Sequence, residues 1–144
     1  MVKVKYSSNE HVLVSNIDTG NAGIDIRALL EKDVILEKNK IYIIPTGIAL
    51  EMPYNIEAQV RSRSGLAKEG IIVVNSPGTI DPSYRGEIFI IMTNLSEKPY
   101  TIKNKDRIAQ LVFSEYKMVE FEKIDAVSFN TKRNDKGLGS SGII

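Results

Sequence analysis

The sequence predicts an all-β domain, a sandwich or a barrel. Three observations support this: its apolar residues come in short or alternating runs, turn residues separate those runs about every eight to twelve positions, and no long stretch carries a 3.6-residue repeat. The clearest strands run from Val34 to Leu36, Ile41 to Ile44, Ile48 to Met52, Ile56 to Arg61, Ile71 to Asn75, Glu87 to Asn94 and Arg107 to Phe113, with EKNK, PTG, PYN, SPG and DPSYRG as breakers between them. Ile88 to Met92 is apolar on both faces, the pattern of a central strand covered on each side. One short helix is predicted at Gly65 to Glu69, with Ser64 placed to cap its first amides. From Asn130 the composition turns to Gly, Ser and charge, too little apolar surface to offset the entropy of ordering. The expected organisation is therefore one β domain over 1–129 and a flexible C-terminal arm over 130–144, with no internal repeat.

Composition narrows the function classes. Nineteen Lys and Arg against eighteen Asp and Glu leave a net charge of +1, no broad field for a nucleic acid to follow, so any phosphate binding must be local. The absence of Cys removes disulfides, thiolate zinc sites and Cys nucleophiles, and suits a reducing compartment. One histidine, His11, cannot build a metal cluster without a second His or a Cys, and reads as a surface residue. With neither a signal-peptide run nor a window near the roughly 20 apolar residues of a membrane span, the expectation is a cytoplasmic protein without membrane contact.

Five segments concentrate the chemistry: AGIDIRA (22–28), RSRSGLA (61–67), NSPGTIDPSYRGE (75–87), DRIAQL (106–111) and RNDKGLGSSG (133–142). Each has a structural explanation when taken singly. Asp25 points to the opposite face from Ile24 and Ile26, as a solvent-exposed partner of Arg27 would. Arg63, Ser64 and Gly65 place a guanidinium, a hydroxyl and an unhindered amide at a helix start, suited to an anion or to an ordinary capped turn. In 75–87, Pro77-Gly78 and Asp81-Pro82 permit two tight turns whose outward amides and carbonyls match the acceptor-donor-acceptor edge of uracil, or simply form a loop with a packed tyrosine. Arg107 and Gln110 flank Ile108 as the polar faces of a strand. The formal G-x-G-x-x-G at Gly137 to Gly142 lies too near the C-terminus to open a helix, so it is no dinucleotide fingerprint; it remains a Gly and Ser segment able to wrap a phosphate, or a disordered end.

Together and in this order, AGIDIR, RSGLA, GTIDPSYRGE, RIAQL and the Gly-rich tail resemble the five motifs of the trimeric dUTPase family. The resemblance implies a jelly-roll-like β fold, the dUTPase-like β-clip, assembled as a homotrimer whose active sites are shared between subunits. It further implies hydrolysis of dUTP to dUMP and pyrophosphate with Mg2+. By motif, Asp81 would activate the attacking water. Arg63, Ser64, Gly65 and Gln110 would hold the phosphates, and Asn75 with the backbone of Thr79, Ile80 and Phe89 would frame the uracil and sugar. Tyr84 would lie against the deoxyribose where a 2′-hydroxyl would clash, and Asp25 would act on the metal through water. From the tail, Arg133, Ser140 and Ser141 would reach the γ-phosphate and Leu138 would cover the base. The chain departs from the family pattern at Ser62, where proline is common, at Asn134 and Lys136, which replace glycines, and at Leu138, which replaces an aromatic ring and cannot stack as one does.

In-line attack of water at the α-phosphorus needs a base, a positioned nucleophile and relief of charge on the leaving pyrophosphate. Two other readings belong beside this one. A dCTP deaminase of the same fold would carry its glutamate where Ile91 stands, and isoleucine cannot transfer protons. A dUTPase-like regulator that binds a protein partner is the other.

Overall fold

Buried and exposed side chains alternate along most of this chain, and that alternation sets which faces close on the core. The computed structural model describes residues 2–8, 13–14, 20–128 and 130–131. In chain order its strands are β1 (Lys5–Ser8), β2 (Leu13–Val14), β3 (Gly23–Arg27), β4 (Val34–Leu36), β5 (Ile41–Pro45), β6 (Ile48–Glu51), β7 (Ile56–Arg61), β8 (Ile71–Val73), β9 (Gly78–Ile80), β10 (Phe89–Asn94), β11 (Tyr100–Ile102) and β12 (Arg107–Glu115). A one-turn helix, α1 (Ser64–Ala67), follows β7. Along β7, Ile56, Ala58 and Val60 are buried while Glu57, Gln59 and Arg61 face outward, as the two-residue repeat of an extended chain requires.

The strands form four sheets, all with antiparallel ladders: β1-β6, β5-β10-β8, β11-β4 and the five-stranded β2-β3-β12-β7-β9. Among the described residues they do not close into a barrel; open sheets wrap one core in a jelly-roll-like, all-β arrangement. Ile26 of β3, Ile44 of β5, Ile90 and Met92 of β10 and Leu111 of β12 are almost fully enclosed there, so every large sheet contributes its inner face. No helix among the described residues is long and apolar enough to cross a membrane.

All seven strands named from sequence lie within two residues of their expected ends, β12 extending two residues beyond Phe113. The Ile71–Asn75 strand stops at Val73 because the chain turns at 74–75, and the one over 87–94 begins at Phe89. β9 and β11 are only three residues each, too short to show an alternating pattern against their turn-rich surroundings. The helix starts one residue early, with Arg63 at the N-cap position and no side-chain cap bond, so Ser64 is its first residue and not its cap. β10 is central in its sheet and its Ile90 and Met92 face is buried; on the other face burial runs from Thr93, which is enclosed, through half-buried Ile91 to Phe89, which is 45% exposed.

One buried polar residue ties three elements together. Asn94, fully enclosed at the end of β10, donates through Nδ2 to Leu36 O (2.9 Å) and Lys98 O (2.7 Å) and accepts at Oδ1 from Ser96 N (2.8 Å) and Ser96 Oγ (2.7 Å). Its amide is saturated, which is what makes its burial tolerable. Asn94→Ala strips donors from two carbonyls, one of them in the core, and should lower unfolding free energy by about 2 kcal/mol or more, read from the midpoint of a denaturant melt at unchanged slope.

Candidate active site

Sheet register assembles the first half of the site. β12 pairs with β3 on one side and β7 on the other, so that Gln110 stands opposite both Asp25 and Arg61. Directly opposed residues share a sheet face, so Asp25 and Gln110 must project together. A one-residue register shift between Arg107 and Ala109 adds Arg107 to that face and turns Ile108 into the core. Asp25 is the hub: Oδ1 accepts from Arg63 Nε at 2.8 Å and Oδ2 pairs with Arg107 Nη1 at 3.2 Å. Arg63 Nη1 also donates to Arg107 O at 2.9 Å, and Gln110 Nε2 donates to Ser62 O at 2.9 Å. The Asp25 and Arg63 side chains are 19% and 24% exposed, so their pair is better shielded from water than an ordinary surface ion pair. Two guanidiniums share one carboxylate, which leaves surplus positive charge beside the exposed Ser64 and Gly65 that open α1.

The second half is built on β9, which pairs through Val60↔Gly78, Gln59↔Thr79 and Ala58↔Ile80 with β7 and is the edge of the five-stranded sheet. Among the described residues no strand pairs its outer side. A cis peptide bond joins Ser76 to Pro77 ahead of it, and Asn75, Thr79, Asp81 and Tyr84 are exposed along this stretch, with Ile80 half-buried. Tyr84 N donates to Asp81 O at 3.0 Å, closing the turn between them, and Tyr84 Oη donates to Glu87 O at 2.9 Å. Phe89 opens β10 in the neighbouring sheet.

Glycines give both halves room. A Cβ at Gly23 would lie 2.1 Å from Gln110 Oε1, one at Gly78 would lie 2.9 Å from Asn75 Nδ2, and one at Gly86 would lie 2.5 Å from the Tyr84 hydroxyl. In each case the hydrogen of glycine lets a site side chain lie flat on the backbone.

The sequence profile of the dUTPase family matches residues 10–142. The chain belongs to the dUTPase family. It is 47% identical over 125 residues to the deoxyuridine 5′-triphosphate nucleotidohydrolase of Orientia tsutsugamushi (strain Ikeda), covering 86% of this chain and 84% of that protein. To the protein of that name from Fusobacterium nucleatum it is 39% identical over 143 residues, 98% of this chain and 97% of the relative. Among solved structures it is similar to the native dUTPase of EIAV, with a TM-score of 0.73 and 25% identity over 85% of this chain and 97% of that one. The Staphylococcus bacteriophage 80alpha dUTPase with dUPNHPP superposes at a TM-score of 0.81 over 98% of this chain and 99% of that one; at 23% identity the likeness is one of fold.

Of the family-derived residues, Asp25, Arg63, Ser64, Gly65 and Gln110 fall at one end of the β3-β12-β7 triplet, while Asn75, Thr79, Ile80, Asp81 and Tyr84 lie on and around β9. Arg133, Leu138, Ser140 and Ser141 lie outside the described residues, as does His11. Arg107 belongs to the site although its position three residues from Gln110 hides it, since strict alternation puts the two on opposite faces. The cluster also makes a measurable contribution to stability: Asp25→Ala leaves Arg63 part-buried with its main partner gone and should cost about 1.5–3 kcal/mol, read by chemical denaturation.

Proposed function

We infer that this chain hydrolyses dUTP to dUMP and pyrophosphate. The observation that carries the reading is the arrangement around β7: surplus guanidinium charge and the α1 amides gather at its C-terminal end, while the edge strand β9 pairs with its residues 58–60 and leads to the exposed Asp81 near its N-terminal end. The phosphates would bind at Arg63, Ser64, Gly65 and Gln110, a planar guanidinium with unshared N–H groups beside amides that lack intrahelical partners. Uracil would lie along the outer side of β9, its acceptor-donor-acceptor edge meeting backbone groups of the Thr79–Ile80 region, with Asn75 and the Phe89 backbone completing the frame. Cytosine would present a donor to a donor there, at about 1–3 kcal/mol per mispaired group. Asp81 would take the proton of the water that attacks the α-phosphorus, and no group among the described residues competes for its carboxylate. Tail residues Arg133, Ser140 and Ser141 would add contacts to the γ-phosphate and Leu138 would cover the base.

Magnesium would be the ion. No group of three His, Cys, Asp or Glu side chains converges among the described residues, so an ion there would keep its own waters and take its remaining ligands from phosphate. Asp25 uses one acceptor position on each oxygen for its arginines, and a carboxylate offers about four, so it retains capacity to accept from metal-bound water. Bound there, the ion would neutralise charge on the phosphate chain.

The same register supports reading the assembly as a homotrimer with shared sites. Ile80 pairs with Ala58, which brings Asp81 level with Glu57, and Arg61 lies four residues further along β7, about 13 Å at 3.3 Å per residue. That exceeds the one-water reach of a general base, so a nucleotide held at the Arg63 end of one subunit is served better by Asp81 of another. An outward apolar face supports assembly: Ile41 and Ile43 of β5 are each 65% exposed beside Phe89 and Ile91 of β10. Ile91 lies in this face opposite Ile43, away from any acid or base chemistry, which speaks against the deaminase. The absence of Cys suits a cytoplasmic setting.

Incubation with dUTP and magnesium should release pyrophosphate and dUMP, and dCTP should release no ammonia; ammonia from dCTP without pyrophosphate from dUTP would overturn the assignment. Asp81→Asn should lower kcat by about 10² to 10⁴ while leaving nucleotide binding near normal, in stopped-flow and equilibrium titrations. Co-refolding it with an Arg63→Ala chain should recover part of the activity, because mixed assemblies then contain sites with both groups intact.

A further inference from the structure

Tyr84 and Asp81 share an exposed turn that their own backbone bond closes, and side chains then fasten that turn to the rest of the fold. The Tyr84 hydroxyl donates to Glu87 O at 2.9 Å, with the ring laid over Gly86. Glu87 is in turn anchored outside the loop: Oε1 accepts from Thr46 N at 3.1 Å and Gly47 N at 2.8 Å, in the turn between β5 and β6. Gly47 has φ of 65°, a left-handed conformation that suits glycine, and successive amides there converge on one anion. The next residue is secured to the same turn. Thr46, fully buried, donates through Oγ1 to Ile88 O at 2.6 Å, and Ile88 N donates to Ile48 O at 2.8 Å. Four hydrogen bonds thus hold Glu87 and Ile88 to the β5-β6 turn and the start of β6, two of them strengthened by the carboxylate charge.

The geometry points to Glu87 as a positioning residue that sets discrimination between 2′-deoxyribose and ribose through Tyr84, without touching nucleotide. This rests on the reading that Tyr84 lies against the deoxyribose. A ring that excludes a 2′-hydroxyl sterically does so only while it cannot yield. The chain from the β5-β6 turn through the Glu87 carboxylate and backbone to the Tyr84 hydroxyl denies it that freedom. Carboxylate and turn also explain each other: the Glu87 side chain satisfies two amides of the turn between β5 and β6, and those amides fix the residue whose backbone carbonyl Tyr84 grips.

The test is steady-state kinetics with dUTP and UTP on the full-length wild type and on Glu87→Ala, Glu87→Gln and Tyr84→Phe. Loss of folded enzyme cancels in the ratio of the two kcat/KM values, so the ratio isolates positioning from stability. Glu87→Ala should move that ratio toward UTP by about ten-fold or more, and Tyr84→Phe, which keeps the ring and removes only its tether, should move it in the same direction. Glu87→Gln retains an oxygen acceptor and should stay within about three-fold of wild type. Wild-type ratios in Glu87→Ala and Tyr84→Phe would overturn the proposal, and if Glu87→Ala does not fold, Tyr84→Phe decides alone. Failure of the underlying reading has a different signature: a wild type that cleaves no dUTP, or that cleaves UTP equally well.

Discussion

The double pairing of β12 is the constraint on which the rest of the site depends. It is the only strand of nine residues among those described, and it is sandwiched in register between β3 and β7. Residues far apart in sequence are thereby set side by side: Asp25 from β3, Gln110 from β12 and Arg61 from β7 stand in one row. Arg63 then reaches back across the row from just beyond β7. Nothing local could hold that arrangement. Asp25 and Arg63 are separated by 38 residues and Asp25 and Arg107 by 82, so the ion pairs exist only when the sheet has formed.

The electrostatics follow from this row. A lone arginine on a sheet face would be solvated and mobile; two arginines converging on one partly shielded carboxylate are held in orientation while their combined charge is only half cancelled. The residual charge is localised, in a chain whose overall charge is nearly neutral. Attraction for a polyphosphate therefore arises at one place and not over the whole surface, which favours a small anion over a long one such as nucleic acid. Asp25 serves the same end, because its part-buried carboxylate holds both forks in place.

Much of this was legible in the sequence, and what was not has particular causes. Strands whose inner faces are apolar, such as Ile56 to Arg61, announce themselves by alternation, and motif order gave the family. Arg107 was hidden by the bulge, because one extra residue in β12 reverses the parity that sequence periodicity relies on. The outer face of β10 looked like core from its composition, yet in this chain Phe89 on that side is exposed, since an apolar run does not itself say what covers it. Ser64 resembled a helix cap, yet the adjacent Arg63 takes the position and is oriented by Asp25 instead. Glu87 carried no signal at all as an anchor, because its partners at Thr46 and Gly47 are backbone amides, and backbone amides belong to every residue.

The unpaired side of β9 is suited to the backbone reading of a base that the proposed function calls for. An edge strand with unpaired amides and carbonyls ordinarily invites pairing with another chain. Here the strand is three residues long and bracketed by Pro77 and Pro82, neither of which can donate to a ladder, so a second strand gains too few bonds to remain. A single planar base needs only the two or three groups that such a strand offers. Because those groups are fixed by pairing of the opposite edge with β7, their spacing does not adapt to a base with a different donor pattern. The rigidity that keeps β9 from recruiting strands is the same rigidity by which it would distinguish uracil from cytosine.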